Sequence, residues 1–109
     1  MPQPNQITAA QLLRLIGTPE APTLVDVRLA EDRAVLPFVI PTASLLAHDL
    51  FDPAPPALAG CRVVVICGRG RKLSEGVAAL LRAQGIAAEV LEGGMAAWVE
   101  SELPMVPLS

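Results

Sequence analysis

One stretch limits the possible folds more than any other: Val63 to Gly85, VVVICGRGRKLSEGVAALLRAQG. It opens with four β-branched residues, Val63, Val64, Val65 and Ile66. A run this short and this apolar reads as a strand buried on both faces. Cys67 follows, then a polar loop, Gly68-Arg69-Gly70-Arg71-Lys72. From Leu73 the period changes, and Leu73, Val77, Leu80 and Leu81 fall on one face of a helix that Gly85 stops. A cysteine and a basic loop therefore stand where a buried strand hands over to a helix.

Such a junction stabilises negative charge. The first amides of a helix have no intrahelical partner, and the helix dipole adds positive charge there. Gly68 and Gly70 allow the backbone to curl with its amides inward. Arg69, Arg71 and Lys72 are three of the eight Lys and Arg residues in the chain. Each feature favours a thiolate at Cys67, and the same pocket suits a small oxyanion.

Taken in order, the chain alternates helix and strand. Thr8 and Gln11 form a capping box ahead of a helix whose apolar stripe is Leu12, Leu13, Leu15 and Ile16. Thr23 to Val27 reads as a strand, Ala30 to Leu36 as two turns of helix, and Ser44 to Leu46 as a short strand. Phe51 to Pro56 reads as a proline-rich surface connection, extended at Pro55-Pro56. Ile86 to Leu91 is the last expected strand, Glu92-Gly93-Gly94 a turn, and Met95 to Glu102 a closing helix. Trp98 on that helix is more often core than binding surface. This alternation predicts a three-layer α/β/α domain around a central, mostly parallel sheet of four or five strands. Right-handed crossovers would bring Asp26, Cys67 and Glu92 to one edge, where open parallel sheets bind ligands.

Four motifs follow one another: LVDVR at Leu24 to Arg28, IPTA at Ile40 to Ala43, the Cys67 loop with its helix, and LEGGMAAW at Leu91 to Trp98 followed by Leu103-Pro104. In this order they resemble the single-domain rhodaneses, sulfurtransferases that carry sulfur as a cysteine persulfide. The resemblance implies Cys67 as the nucleophile, with Gly68, Arg69, Gly70, Arg71 and Lys72 around the substrate and Asp26 and Arg28 close by. Read alone, Asp26 and Arg28 are more simply a local ion pair or a cap. The resemblance also implies a small sulfur donor such as thiosulfate, and a thiol or cyanide acceptor. A thioredoxin-like protein or glutathione would be the thiol. No cofactor and no metal are expected. The chain departs from the family in three places. The family's Gly-His-Ile-Pro-Gly-Ala is here Phe38-Val39-Ile40-Pro41-Thr42-Ala43, its usual terminal loop Arg is Lys72, and the residue after the cysteine, often Arg or Gln, is Gly68.

Two other readings stay open. Phosphatases and arsenate reductases resemble this scaffold but place an Arg six residues after the cysteine; here that residue is Leu73. A non-catalytic rhodanese-like binding or sensing module would usually lack the cysteine. His48, the single histidine, is expected to be structural.

At 109 residues the chain is expected to form one domain over 1–109. The net charge of −3 has no basic or acidic tail behind it, which argues against nucleic acid or an anionic membrane as partner. Although 52% of residues are hydrophobic, no run reaches the length of a membrane span. The opening residues MPQPNQITAAQ show no secretory signal pattern, and two cysteines make no disulfide framework, so a reducing cytoplasm is expected. Cys61 and Cys67 stand at opposite ends of the central strand, about 20 Å apart by strand rise, which speaks against a redox pair.

Overall fold

The computed structural model describes residues 5–108. Residues 1–4, part of the stretch read as lacking a secretory signal, and residue 109 lie outside them. Among the described residues, seven strands and four α-helices follow in the order β1 (Gln6–Ile7), α1 (Ala9–Leu15), β2 (Thr23–Asp26), α2 (Ala30–Val35), β3 (Phe38–Val39), β4 (Ser44–Leu45), β5 (Arg62–Ile66), α3 (Lys72–Ala83), β6 (Ala87–Leu91), α4 (Gly94–Glu100) and β7 (Val106–Pro107). Five strands make one parallel sheet in the order β1-β6-β5-β2-β4. The expected three-layer α/β/α fold is the observed one.

β5 lies at the centre of this sheet, in register with β2 (Val65 opposite Val25) and β6 (Val65 opposite Val90). Alternate side chains point to opposite faces. Val63, Val65 and Cys67 pack with Val77, Ala78 and Leu81 of α3. Val64 and Ile66 pack with Leu12 of α1 and with Met95 and Trp98 of α4. Both faces are thus covered, which explains an apolar run with no polar alternation. Each Val or Ile so buried contributes roughly 1.5–3 kcal/mol relative to exposure. Trp98 is fully buried and donates from Nε1 to the Pro104 carbonyl at 2.8 Å, so it belongs to the core.

The structure amends the expected elements in specific ways. β1, β3 and β7 are two-residue strands, too short to leave a period in the sequence; β3 and β7 pair antiparallel apart from the main sheet. α3 starts at Lys72, inside the stretch read as loop. Its buried residues are Ser74, Val77, Ala78 and Leu81, whereas Leu80 is exposed. Small Ser74 and Ala78 let the helix sit close to the sheet, and this rotates the buried face away from Leu80. The Phe51 to Pro56 segment is no loose surface connection. Phe51 is fully buried, Pro56–Leu58 forms a 3-10 turn, and the Gln84 side chain bridges the segment by accepting from Ala54 N and donating to Phe51 O, both at 2.7 Å. Among the described residues no helix is long and apolar enough to cross a membrane.

Candidate active site

Cys67 leaves β5 at the carboxyl edge of the sheet, and only 5% of its surface is exposed. Two neighbours hold its loop. The first is α4. Its amides Met95 N and Ala96 N donate to the carbonyls of Cys67 (2.8 Å) and Gly68 (2.9 Å). Amides of a helix's first turn lack intrahelical acceptors, so each group satisfies the other. With its carbonyls drawn toward α4, the loop turns Gly70 N back toward the sulfur, where it donates to Cys67 Sγ at 3.1 Å.

This interlock leaves no room for side chains. A Cβ on Gly94 would stand 2.3 Å from the Cys67 carbonyl oxygen and 2.6 Å from Gly70 N. A Cβ on Gly70 would stand 2.5 Å from the Leu91 carbonyl oxygen. Both glycines also have positive φ, at +56° and +67°. Gly68 meets neither condition, since a Cβ there would enter open space.

The second neighbour is the start of α3. Ser74 is fully buried, and its Oγ lies 3.1 Å from Cys67 Sγ and 3.1 Å from the Arg71 carbonyl to which it donates. Ser74 was not among the residues that the sequence singled out. The available signal was a hydroxyl in the helix's first turn, on the face turned to the strand that ends in Cys67.

A pocket of about 470 Å³ opens over the cysteine. Arg28, Arg69, Arg71 and Lys72 line it, with Gly68, and Asp32 of α2 is the acidic group in its wall. Arg69, Arg71 and Lys72 are exposed at the rim. Leu29, Val35, Leu36, Leu73 and Met95 supply apolar lining.

Asp26 is fully buried and does not line the pocket. It accepts from Arg28 Nε at 3.1 and 3.0 Å and from Arg28 N at 3.0 Å. Arg28 then donates from its other nitrogens to the carbonyls of Leu36 (3.0 Å) and Phe38 (2.6 Å). The pair ties β2 to the corner between α2 and β3, and only Arg28 reaches the pocket wall. Removing one partner of a buried pair of this kind costs roughly 3–5 kcal/mol. Glu92, expected near the site, is exposed and outside the pocket, as is His48. Cys61 precedes the opposite end of β5, and its thiol donates to the Ala57 carbonyl at 3.4 Å.

The family model of the rhodanese-like domain matches residues 8–101. The chain belongs to the rhodanese-like family. Among solved structures, it is 30% identical to a rhodanese-like domain protein from Staphylococcus aureus, over 86% of this chain and 90% of that one, with a TM-score of 0.74. It is 25% identical to a thiosulfate sulfurtransferase from Pseudomonas aeruginosa, with a TM-score of 0.78; the match spans 98% of this chain but 20% of that longer one. The rhodanese-like fold is also shared with CoADR-RHD from Bacillus anthracis, at 18% identity over 94% of this chain and 18% of that one, with a TM-score of 0.77. No curated protein matches the chain.

Proposed function

We propose that this rhodanese-like domain is a sulfurtransferase that passes sulfane sulfur from a thiosulfate-like donor to a thiol or cyanide through a persulfide on Cys67. The observation that carries the reading is the cradle of Cys67. Its sulfur receives the Gly70 amide at 3.1 Å at the floor of a pocket edged by Arg69, Arg71 and Lys72.

In the first half-reaction the Cys67 thiolate attacks the outer sulfur of thiosulfate. The new bond joins Sγ to that sulfur, the sulfur–sulfonate bond breaks, and sulfite leaves with the electron pair. The rim cations and loop amides stabilise both anions. In the second half-reaction cyanide or a thiolate attacks the terminal sulfur and the Sγ–S bond breaks. Cys67 returns as a thiolate and the acceptor departs as thiocyanate or a persulfide. Two separated halves imply ping-pong kinetics. Both cysteines are free, and such a cycle suits a reducing compartment, where glutathione or a thioredoxin-like protein could serve as the thiol.

Intact-mass spectrometry after incubation with thiosulfate tests the reading. One added sulfur atom on the wild type and none on Cys67→Ser is the expected result. A wild type that never gains sulfur from thiosulfate or mercaptopyruvate is instead a binding module.

A further inference from the structure

α3 covers one face of the sheet with Ser74, Val77, Ala78 and Leu81, and its other side turns to solvent, where Glu75, Gly76, Ala79, Leu80, Arg82 and Ala83 are exposed. Three features of that outer face serve nothing within the chain. Gly76 stands mid-helix, where glycine costs about 0.5–1 kcal/mol relative to alanine. Its φ is not positive and a Cβ there would meet nothing within 4 Å, so neither a turn nor a close approach within the chain requires it. Leu80 is 41% exposed. Glu75 and Arg82 have no ionic partner, since among the described residues the ion pairs are Arg28–Asp26 and Arg62–Glu89. Arg82 is nonetheless held in place, because its Nη1 donates to the Ala88 carbonyl at 3.1 Å.

These features complement one another when the helix meets a copy of itself. At 3.6 residues per turn, Glu75 and Arg82 lie toward one edge of the outer face, Gly76 and Leu80 toward the other, and Ala79 between them. A two-fold axis crossing the helix between Ala78 and Ala79 reverses position along it and keeps each edge on its own side. Glu75 then stands opposite Arg82 of the second copy, and Arg82 opposite the second copy's Glu75, the reciprocity of an isologous contact. Leu80 of each copy falls beside Gly76 of the other, where the missing side chain leaves room for it. The helix dipoles run antiparallel, so unlike ends meet. We propose that the outer face of α3 is a homodimer interface, packed antiparallel against the same face of a second copy of this chain. Arg82 is already anchored at Ala88, so it loses little freedom when it pairs. Glu75, Gly76, Leu80 and Arg82 lie outside the pocket over Cys67, and the dimer is independent of the sulfur chemistry.

One helix face per copy makes a contact smaller than the roughly 1,200 Å² of a standard interface, so the dissociation constant should be about 0.1–1 mM. Sedimentation velocity on the wild type, from about 10 μM to about 1 mM, should show the mean mass rising from one chain toward two, less steeply as salt is added. Gly76→Gln fills open space in its own chain and should keep the fold, but it blocks Leu80 of the second copy and should weaken association about tenfold or more. Glu75→Arg and Arg82→Glu each set like charges together at two symmetric places, and each alone should weaken association about tenfold. Mixed in equal amounts, these two variants bring opposite charges together again and should associate at least as tightly as the wild type. Circular dichroism checks the fold of each variant. If Arg82→Glu, which also gives up the bond to Ala88, does not fold, Gly76→Gln and Glu75→Arg still decide. A wild type that stays monomeric at the highest concentration overturns the proposal and leaves this face to a different protein. So does a dimer that Gly76→Gln leaves intact, which would use another surface, and so do two folded charge variants that stay monomeric when mixed.

Discussion

Ser74 Oγ stands at 3.1 Å from both Cys67 Sγ and the Arg71 carbonyl, and a hydroxyl has one proton to give. While Cys67 is a thiol, it donates to Ser74, and Ser74 donates to Arg71. When the sulfur carries charge, the hydroxyl can turn to it, because the Arg71 carbonyl keeps the Glu75 amide at 3.0 Å. The sulfur leaves as an anion at the end of the second half-reaction, where this bond helps most. Hydrogen bonds to charged groups are worth about 1.5–3 kcal/mol. Ser74→Ala should therefore slow discharge of the loaded enzyme by cyanide roughly tenfold or more. Single-turnover kinetics on protein first loaded with thiosulfate measure this step alone, and an unchanged rate would remove Ser74 from the chemistry.

The Gly94–Cys67 contact separates a required glycine from a permissive one. In Gly94→Ala the new methyl would meet backbone atoms that cannot rotate aside, at a positive φ as well. A loss of roughly 3 kcal/mol or more in stability is expected, together with slower sulfur loading as the loop shifts. Gly68→Ala meets open space, and its unfolding midpoint should stay within experimental error of the wild type. Thermal unfolding of the two variants makes the comparison, and equal midpoints would mean that the loop is not locked to α4.

What the sequence revealed depended on how far a signal reached. The run Val63 to Ile66 announced its burial because both neighbouring strands and both helix layers press on the same four residues. Thr8 and Gln11 form the expected capping box, since both bonds lie within one turn: Thr8 N to Gln11 Oε1 at 2.9 Å and Gln11 N to Thr8 Oγ1 at 3.1 Å. The lock between Gly94 and the Cys67 loop was not visible, because it joins residues from different strands' ends and only backbone atoms make it. Asp26 and Arg28, read alone, gave a local ion pair, and the structure has it; the resemblance had set Asp26 near the substrate, whereas it is buried against Arg28 and does not line the pocket. Leu73 was read as core, and it both packs on the core and lines the pocket, a double position that no periodicity distinguishes.

Thr42 occupies a site that suits glycine. The Ile40 to Ala43 turn closes with Ala43 N donating to Ile40 O at 3.0 Å, and Thr42 adopts φ +75° to make it. A β-branched residue is strained there, by about 1–3 kcal/mol. Thr42 is exposed, so its side chain adds little packing. Thr42→Gly relieves the strain but gives back part of it in chain entropy. The expected net gain is about 1 kcal/mol, a rise of about 4–8 °C in Tm for a domain of this size. Calorimetry measures it directly; a lower Tm would show that the threonine is not strained in this turn.

Leu73 decides between sulfur and phosphate chemistry. A phosphate monoester needs a cradle ending in an Arg that neutralises its oxygens, and the resembling phosphatases carry that Arg six residues after the cysteine. Leu73 holds the position here. Its side chain is half-buried, packs against the cluster that contains Val77 and Leu81, and also faces the pocket. A phosphate oxygen brought to the loop would meet an aliphatic surface where the phosphatases present a guanidinium. Such a surface cannot replace the oxygen's lost hydration. The sulfane sulfur of thiosulfate is softer and less hydrated than a phosphate oxygen, so an aliphatic neighbour such as Leu73 costs it less. The protein should therefore transfer sulfur to cyanide and hydrolyse no p-nitrophenyl phosphate above a Cys67→Ser control. Release of p-nitrophenol over time, measured beside thiocyanate formation on the same preparation, gives both answers. Phosphatase turnover that disappears in Cys67→Ser would show that the loop grips phosphate without the arginine, and the sulfur assignment would then have to be abandoned.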